Sequence, residues 1–166
     1  MKLEPPDCHS LSAATGWFEL GNLKESKDEL TRLSPTGDKH PDVLELRWAI
    51  AARENNWDHA WKLAEQLVAE APERPSGWLH RAYAARRAPG GGLRQAWDTL
   101  LLAVEKFPDE PIISYNLSCY ACQMDELDSA RVWLKKAFRL GGREQIKRMA
   151  LKDPDLEPLW LEIRKL

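Results

Sequence analysis

The chain has 166 residues and sets 24 Lys and Arg against 26 Asp and Glu, a net charge of -2. A surface so nearly neutral draws in neither nucleic acid nor anionic lipid through a global field, so no nucleic-acid partner and no membrane partner is expected. The length suits one compact domain or one short repeat array.

The opening stretch, Met1-Lys2-Leu3-Glu4-Pro5-Pro6, has no apolar run of the kind a secretory signal needs, and nothing later approaches the roughly 18 apolar residues of a membrane span. A cytoplasmic protein is the expectation. The cysteines Cys8, Cys119 and Cys122 are odd in number and widely spread, which favours reduced thiols over a disulfide framework.

Helical spacing predicts a first pair over residues 9–21 and 23–34, the second helix carrying Leu23, Ser26, Leu30 and Leu33. Pro41 then opens a helix over 42–55, with Asp42 as its cap or first-turn residue, and Trp57, Ala60, Trp61, Ala64, Leu67 and Val68 line the next. Pro75 opens 76–88, with Ser76 placed like Asp42. Pro89-Gly90-Gly91-Gly92 makes a turn, and Leu93, Ala96, Trp97, Leu100, Ala103 and Val104 stripe the following helix. Pro111 opens 112–124, and Leu127, Ala130, Trp133, Leu134, Ala137 and Phe138 form the next stripe up to Gly141-Gly142.

The same markers recur at fixed intervals. Ala60, Ala96 and Ala130 are 36 and 34 residues apart, Pro41, Pro75 and Pro111 are 34 and 36 apart, and Pro72 and Pro108 are 36 apart. The longer interval has a local origin in the glycine turn, which reads as a two-residue loop insertion. Ser26 extends the series 34 residues upstream of Ala60. The remaining segments, Arg143–Leu151 and Pro154–Ile163, read as two short helices with Asp153 capping the second. Leu156, Leu159, Trp160 and Ile163 would cover the apolar face of the last repeat, which has no neighbour to bury it.

These residues resemble the tetratricopeptide repeat family over about residues 7–142. The family's small and aromatic places appear as Leu44, Ala51, Ala60, Ala64, Leu67 and Pro72, then as Trp78, Ala82, Ala96, Leu100, Ala103 and Pro108, then as Leu117, Ser118, Ala121, Ala130, Leu134 and Ala137. Trp48 departs from the pattern where a small residue is usual, and Arg47 and Arg81 depart where an apolar one is. The resemblance implies an all-α, right-handed superhelical solenoid of about four helix-turn-helix repeats, forming a single domain. The repeats fall approximately at 7–40, 41–74, 75–110 and 111–142, with a C-terminal cap over 143–166.

It further implies a concave groove, lined by the first helices, that holds a peptide or protein partner. Carried over residue by residue, the groove positions are Glu45 and Arg53, then His80, Tyr83, Arg86 and Arg87, then Tyr115, Asn116, Cys119 and Gln123. Some family members grip a chaperone's terminal carboxylates with Lys, Asn, Asn, Lys and Arg. Here Glu45, Ala49, His80, Ile112 and Asn116 stand at those places and only Asn116 fits, so a tail clamp of that kind is not expected.

Enzymatic chemistry finds little footing. His9, His40, His59 and His80 lie in different repeats without a nucleophile signature, and the glycine turn lacks the Lys-Ser/Thr of a phosphate loop. Cys119 and Cys122 form a C-x-x-C, yet zinc needs about four ligands and no second pair exists. No catalytic residue, metal or cofactor is therefore expected. The leading expectation is a binding scaffold, monomeric or weakly self-associating. Assembly through a convex or terminal apolar surface is the alternative, and a metal or redox role for Cys119 and Cys122 comes third.

Overall fold

The structure, a computed structural model, describes residues 2–165, and they are helical with no β-strand among them. In chain order come α1 (Asp7–Glu19), α2 (Leu23–Leu30), α3 (Pro41–Arg53), α4 (Trp57–Glu70), α5 (Pro75–Arg87), α6 (Leu93–Lys106), α7 (Pro111–Gln123) and α8 (Leu127–Gly141). They are followed by α9 (Arg143–Ala150), a 3-10 stretch (Pro154–Leu159) and α10 (Trp160–Lys165). The last helix expected from sequence is thus divided. Pro158 lies inside it, and a proline ring clashes with the preceding helical turn and supplies no N–H to an α-helical ladder.

Each proline expected near a helix start is the first residue of its helix. At Pro41 and Pro111 the cap comes from the residue before the proline. His40 Nδ1 accepts from the Asp42 N–H at 3.2 Å, and Glu110 Oε1 accepts from the Ile112 N–H at 3.1 Å, so Asp42 belongs to the first turn. Asp153 takes the same role before Pro154, accepting from the Asp155 N–H at 3.0 Å, as its sequence position suggested.

The loops inside the repeats share one construction. Gly21, Asn55 and Asp125 have φ of 81°, 56° and 62°, the left-handed region that glycine enters freely and Asn or Asp tolerate. In each case the following N–H returns to a carbonyl five residues back: Asn22 to Trp17, Asn56 to Ala51 and Glu126 to Ala121. At the glycine turn the corresponding bond runs from Gly92 to Ala85, seven residues back, which is the two-residue insertion seen directly.

Packing divides the chain into two compact units, with the division between Ala84 and Ala85 inside α5. In the first, Leu44, Ala51, Ala60, Leu63, Leu67, Ala71 and Ala84 form one cluster, with Trp48, Trp57 and Trp61 packed on it. A second cluster joins Ala14 and Leu30 to Val43, Leu46 and Ile50. In the second unit the buried residues include Ala96, Leu100, Leu117, Ala130 and Leu134 from α6 to α8, and Ile146, Leu156, Leu159 and Ile163 from the terminal elements.

Two helix pairs are joined by a serine-to-carbonyl hydrogen bond that runs in opposite directions. Ser26 Oγ on α2 donates to the Ala14 carbonyl on α1 at 2.8 Å, while Ser118 Oγ on α7 donates to the Ala130 carbonyl on α8 at 2.8 Å. Ser26 and Ala130 share one repeat position, as do Ala14 and Ser118, so the serine has changed sides of an equivalent contact. Trp48 holds the Ala14 position in its own repeat, where an indole cannot slip between two close helices; it lies half-buried against its neighbours instead. Arg47 and Arg81 are also half-buried. Arg47 Nη2 reaches the Leu30 carbonyl at 3.2 Å as well as Asp38, and Arg81 pairs with Glu65 at 3.8 Å.

Candidate protein-interaction surface

In the first unit, α3 and the leading part of α5 bring an aromatic cluster together. Trp48 stacks on the His80 ring with centroids 3.8 Å apart and planes within 10°, and meets Tyr83 edge-on at 5.9 Å. Trp57 also approaches Tyr83, at 5.8 Å and with its ring plane tilted by 56°. Tyr83 remains 39% exposed, so this cluster is both supported from below and open to contact. Burial lowers the pKa of His80 from the ordinary imidazole value, with Glu45 partly opposing, so the ring stacks on the indole in its neutral form near pH 7.

Glu45 and Arg53 flank that cluster along α3. Glu45 Oε1 accepts from Ser76 Oγ at 2.7 Å and lies 3.6 Å from Arg74 Nη1, which fixes the carboxylate. Arg53 Nη1 donates to the Phe18 carbonyl at 2.9 Å, and its guanidinium sits 4.0 Å above the Phe18 ring. The arginine is thereby held by α1. Trp48 had registered in the sequence only as a departure from a repeat pattern. What made it informative was its bulk at a place built for a small side chain.

The second unit presents a different surface. Four of its six groove positions meet the turn at Asp153 and Asp155. Tyr115 Oη donates to Asp153 Oδ2 at 2.8 Å, and the Cys119 thiol lies 3.5 Å from the same oxygen. Arg86 grips Asp155 with both terminal nitrogens, Nη2 to Oδ1 at 3.0 Å and Nη1 to Oδ2, and Gln123 Nε2 donates to the Asp155 carbonyl at 3.3 Å. Asn116 turns back to the Ile112 carbonyl at 2.9 Å, and Arg87 is half-buried. Asp153 was legible as a helix start and not as a partner of α7, because a contact across 38 residues leaves no local trace.

Both thiols of the C-x-x-C are held toward the protonated form. Burial pushes Cys119 up, and Asp153 beside it pushes further; burial raises Cys122 as well, followed by Asp155 and Asp125. A reactive cysteine needs the opposite shift. Among the described residues no group of three or more His, Cys, Asp or Glu side chains is placed to hold a metal ion. No helix among them is long and apolar enough to cross a membrane.

Among solved structures, the chain is similar to TTC0263, a thermophilic TPR protein of Thermus thermophilus. The two superpose with a TM-score of 0.67 at 18% identity, over 95% of each chain. The fold is the tetratricopeptide repeat fold. Two further tetratricopeptide-like matches are MamA MSR-1 C2, with a TM-score of 0.64 at 18% identity over 81% of this chain and 76% of that one, and MamA RS-1 ArsTM double mutant, with 0.67 at 14% over 91% and 80%. No family model and no curated protein sequence matches.

Proposed function

We propose that this chain is a non-catalytic interaction scaffold that holds a segment of a protein partner on the α3 and α5 face of its first unit. The observation that carries this is the Trp48–His80 stack with Tyr83 set edge-on and 39% exposed. Rigid aromatic groups on helices supply contact area at small entropic cost, and such residues dominate binding energy in protein interfaces. Glu45, already oriented by Ser76, offers a fixed carboxylate at the edge of the same face.

The alternating burial along α3 supports this reading. Val43, Leu44, Leu46 and Ile50 go to the core, while Glu45, Ala49 and Ala52 stay half-buried on the side that carries Trp48. Small alanines beside an aromatic wall let a guest backbone approach closely. The test is affinity capture from native extract with the full chain, comparing the wild type with Tyr83→Ala and with His80→Ala. Partners that vanish with both variants, while the thermal transition stays above the assay temperature, support the assignment. Recovery of the same partners at the same yield by both variants would remove it.

A further inference from the structure

The last helix of the repeat series does not end against a closed cap. Between α8 and the pair α9 and α10 lies an open trough of about 920 Å³. Its apolar floor is the half-buried Phe138 of α8 over the buried Leu134, Leu159 and Ile163, and Val132, 68% exposed, also lines it. Residues 131 to 139 of α8 line it, which at 1.5 Å per residue is a strip about 12 Å long, two helical turns.

Apart from Glu162, the charged side chains that line it are basic. Lys135, Lys136, Arg139 and Arg143 border the trough. Arg131 also lines it, but is held by Glu162 through bonds of 2.9 and 2.8 Å, which nearly neutralises that corner. No carboxylate among the described residues pairs with Lys135, Arg139 or Arg143. From Arg131 to Arg148 the chain has seven Lys and Arg and the single acid Glu144, although the whole protein is slightly acidic. A net charge of -2 therefore conceals a local cationic rim around an apolar floor.

We infer that this trough is a docking site for an acidic amphipathic helix of a partner protein, separate from the α3 and α5 face. In a repeat stack every inner second helix is covered by helices of the next repeat, and here α9 and α10 cover α8 only in part. A helix laid into the trough presents i, i+3, i+4 and i+7 side chains to the floor, while its acidic flanks meet Lys135, Arg139 and Arg143. The concavity and apolar floor distinguish the site from a nucleic-acid surface, which needs cations aimed at a backbone and no apolar depth. They also distinguish it from a membrane-binding face, which projects its apolar residues outward.

The test uses the full chain and a fluorescent designed peptide of roughly 18 residues, about five turns, with Leu at helical spacing on one face and Glu on the other. Its controls are a scrambled peptide of equal composition, vesicles containing anionic lipid, and a single-stranded oligonucleotide. The expected result is saturable anisotropy that weakens with salt and falls at least tenfold in Lys135→Glu plus Arg139→Glu. Both of those side chains are exposed, so the reversal leaves the core intact, and an unchanged circular dichroism melt verifies it. Phe138→Ala is expected to weaken the designed peptide without restoring the scrambled one. Equal binding of the scrambled peptide overturns the proposal in favour of bare charge attraction. Tighter binding of vesicles or oligonucleotide through the same residues overturns it in favour of those partners, and self-association abolished by the charge reversal overturns it in favour of a second copy. Because Tyr83 and His80 are untouched, loss of this site leaves the test of the α3 and α5 face intact, and the reverse holds.

Discussion

Tyr115 gives its hydroxyl to Oδ2 of Asp153 at 2.8 Å, across 38 residues of chain, while Oδ1 of the same carboxylate accepts the Asp155 N–H at 3.0 Å. One side chain therefore starts the terminal 3-10 stretch and ties it to α7. Asp153→Ala removes both functions and leaves the Tyr115 hydroxyl, which is largely buried, without an acceptor. The expected loss is about 2–4 kcal/mol from the cap and the orphaned donor together. Tyr115→Phe removes only the tie and should cost about 1 kcal/mol. Urea unfolding of both variants checks this, and equal losses would mean that the tie rather than the cap carries the effect.

His80 predicts a pH dependence with a definite sign. Burial lowers its pKa in the folded protein below the unfolded value of about 6.5, so between the two values the unfolded chain binds the extra proton. The contribution is complete above about pH 6.5 and is lost as pH falls toward the folded pKa, with a slope of up to about 1.4 kcal/mol per pH unit. His80→Phe keeps an aromatic ring against Trp48 and deletes the titration. Its stability should be flatter than the wild type between about pH 6.5 and 5, measured by denaturant midpoints at each pH. A parallel decline in both proteins would assign the effect to other groups.

The repeat was readable because it is written in local, periodic features. Ala60, Ala96 and Ala130 sit where backbones approach, and the proline spacing revealed even the inserted loop residues that the Gly92 to Ala85 bond displays. Gly21, Asn55 and Asp125 share the left-handed loop position, yet they are three different residues, so no identity search would align them. The surface was harder to read. Family positions led to Tyr83 and His80 but not to Trp48, whose role follows from being too large for its place. They also could not show that Tyr115, Cys119, Gln123 and Arg86 meet Asp153 or Asp155, since nothing local records the return of the terminal segment to α7. The cationic rim was diluted in a near-neutral total and became visible only once α8 and α9 were placed.

Two glycines predict opposite outcomes from the same substitution. A Cβ at Gly91 would stand 1.9 Å from the Ala85 carbonyl oxygen, a backbone atom with no rotamer to yield, so Gly91→Ala should force the turn open and cost about 2 kcal/mol or more. Gly16 lies within α1 with nothing within 4 Å of its Cβ position, so Gly16→Ala should stabilise by about 0.5–1 kcal/mol through helix propensity. Thermal melts of the two variants should move in opposite directions. A stabilised Gly91→Ala would show that the turn is not drawn as tightly as described.

Ala96 tests the register of the repeat itself. It is 0% exposed, begins its ladder with a bond from its N–H to the Gly92 carbonyl at 3.0 Å, and shares its repeat position with Ala60, Ala130 and the buried Ser26. Ser26 shows that a hydroxyl is accepted at this position when a carbonyl faces it, as the Ala14 carbonyl does at 2.8 Å. A carboxylate is another matter, being larger, an acceptor only, and costly to strip of water. Ala96→Asp should therefore lose about 3 kcal/mol or more, whereas Gln95→Asp, exposed one residue earlier, should lose less than about 1. In a repeat protein the damage stays close to its source, so amide protection in α6, α7 and α8 should fall well before protection in α1 and α2. An unchanged melt for Ala96→Asp, or equal damage from both substitutions, would mean that the small residues do not mark the crossings of the helices.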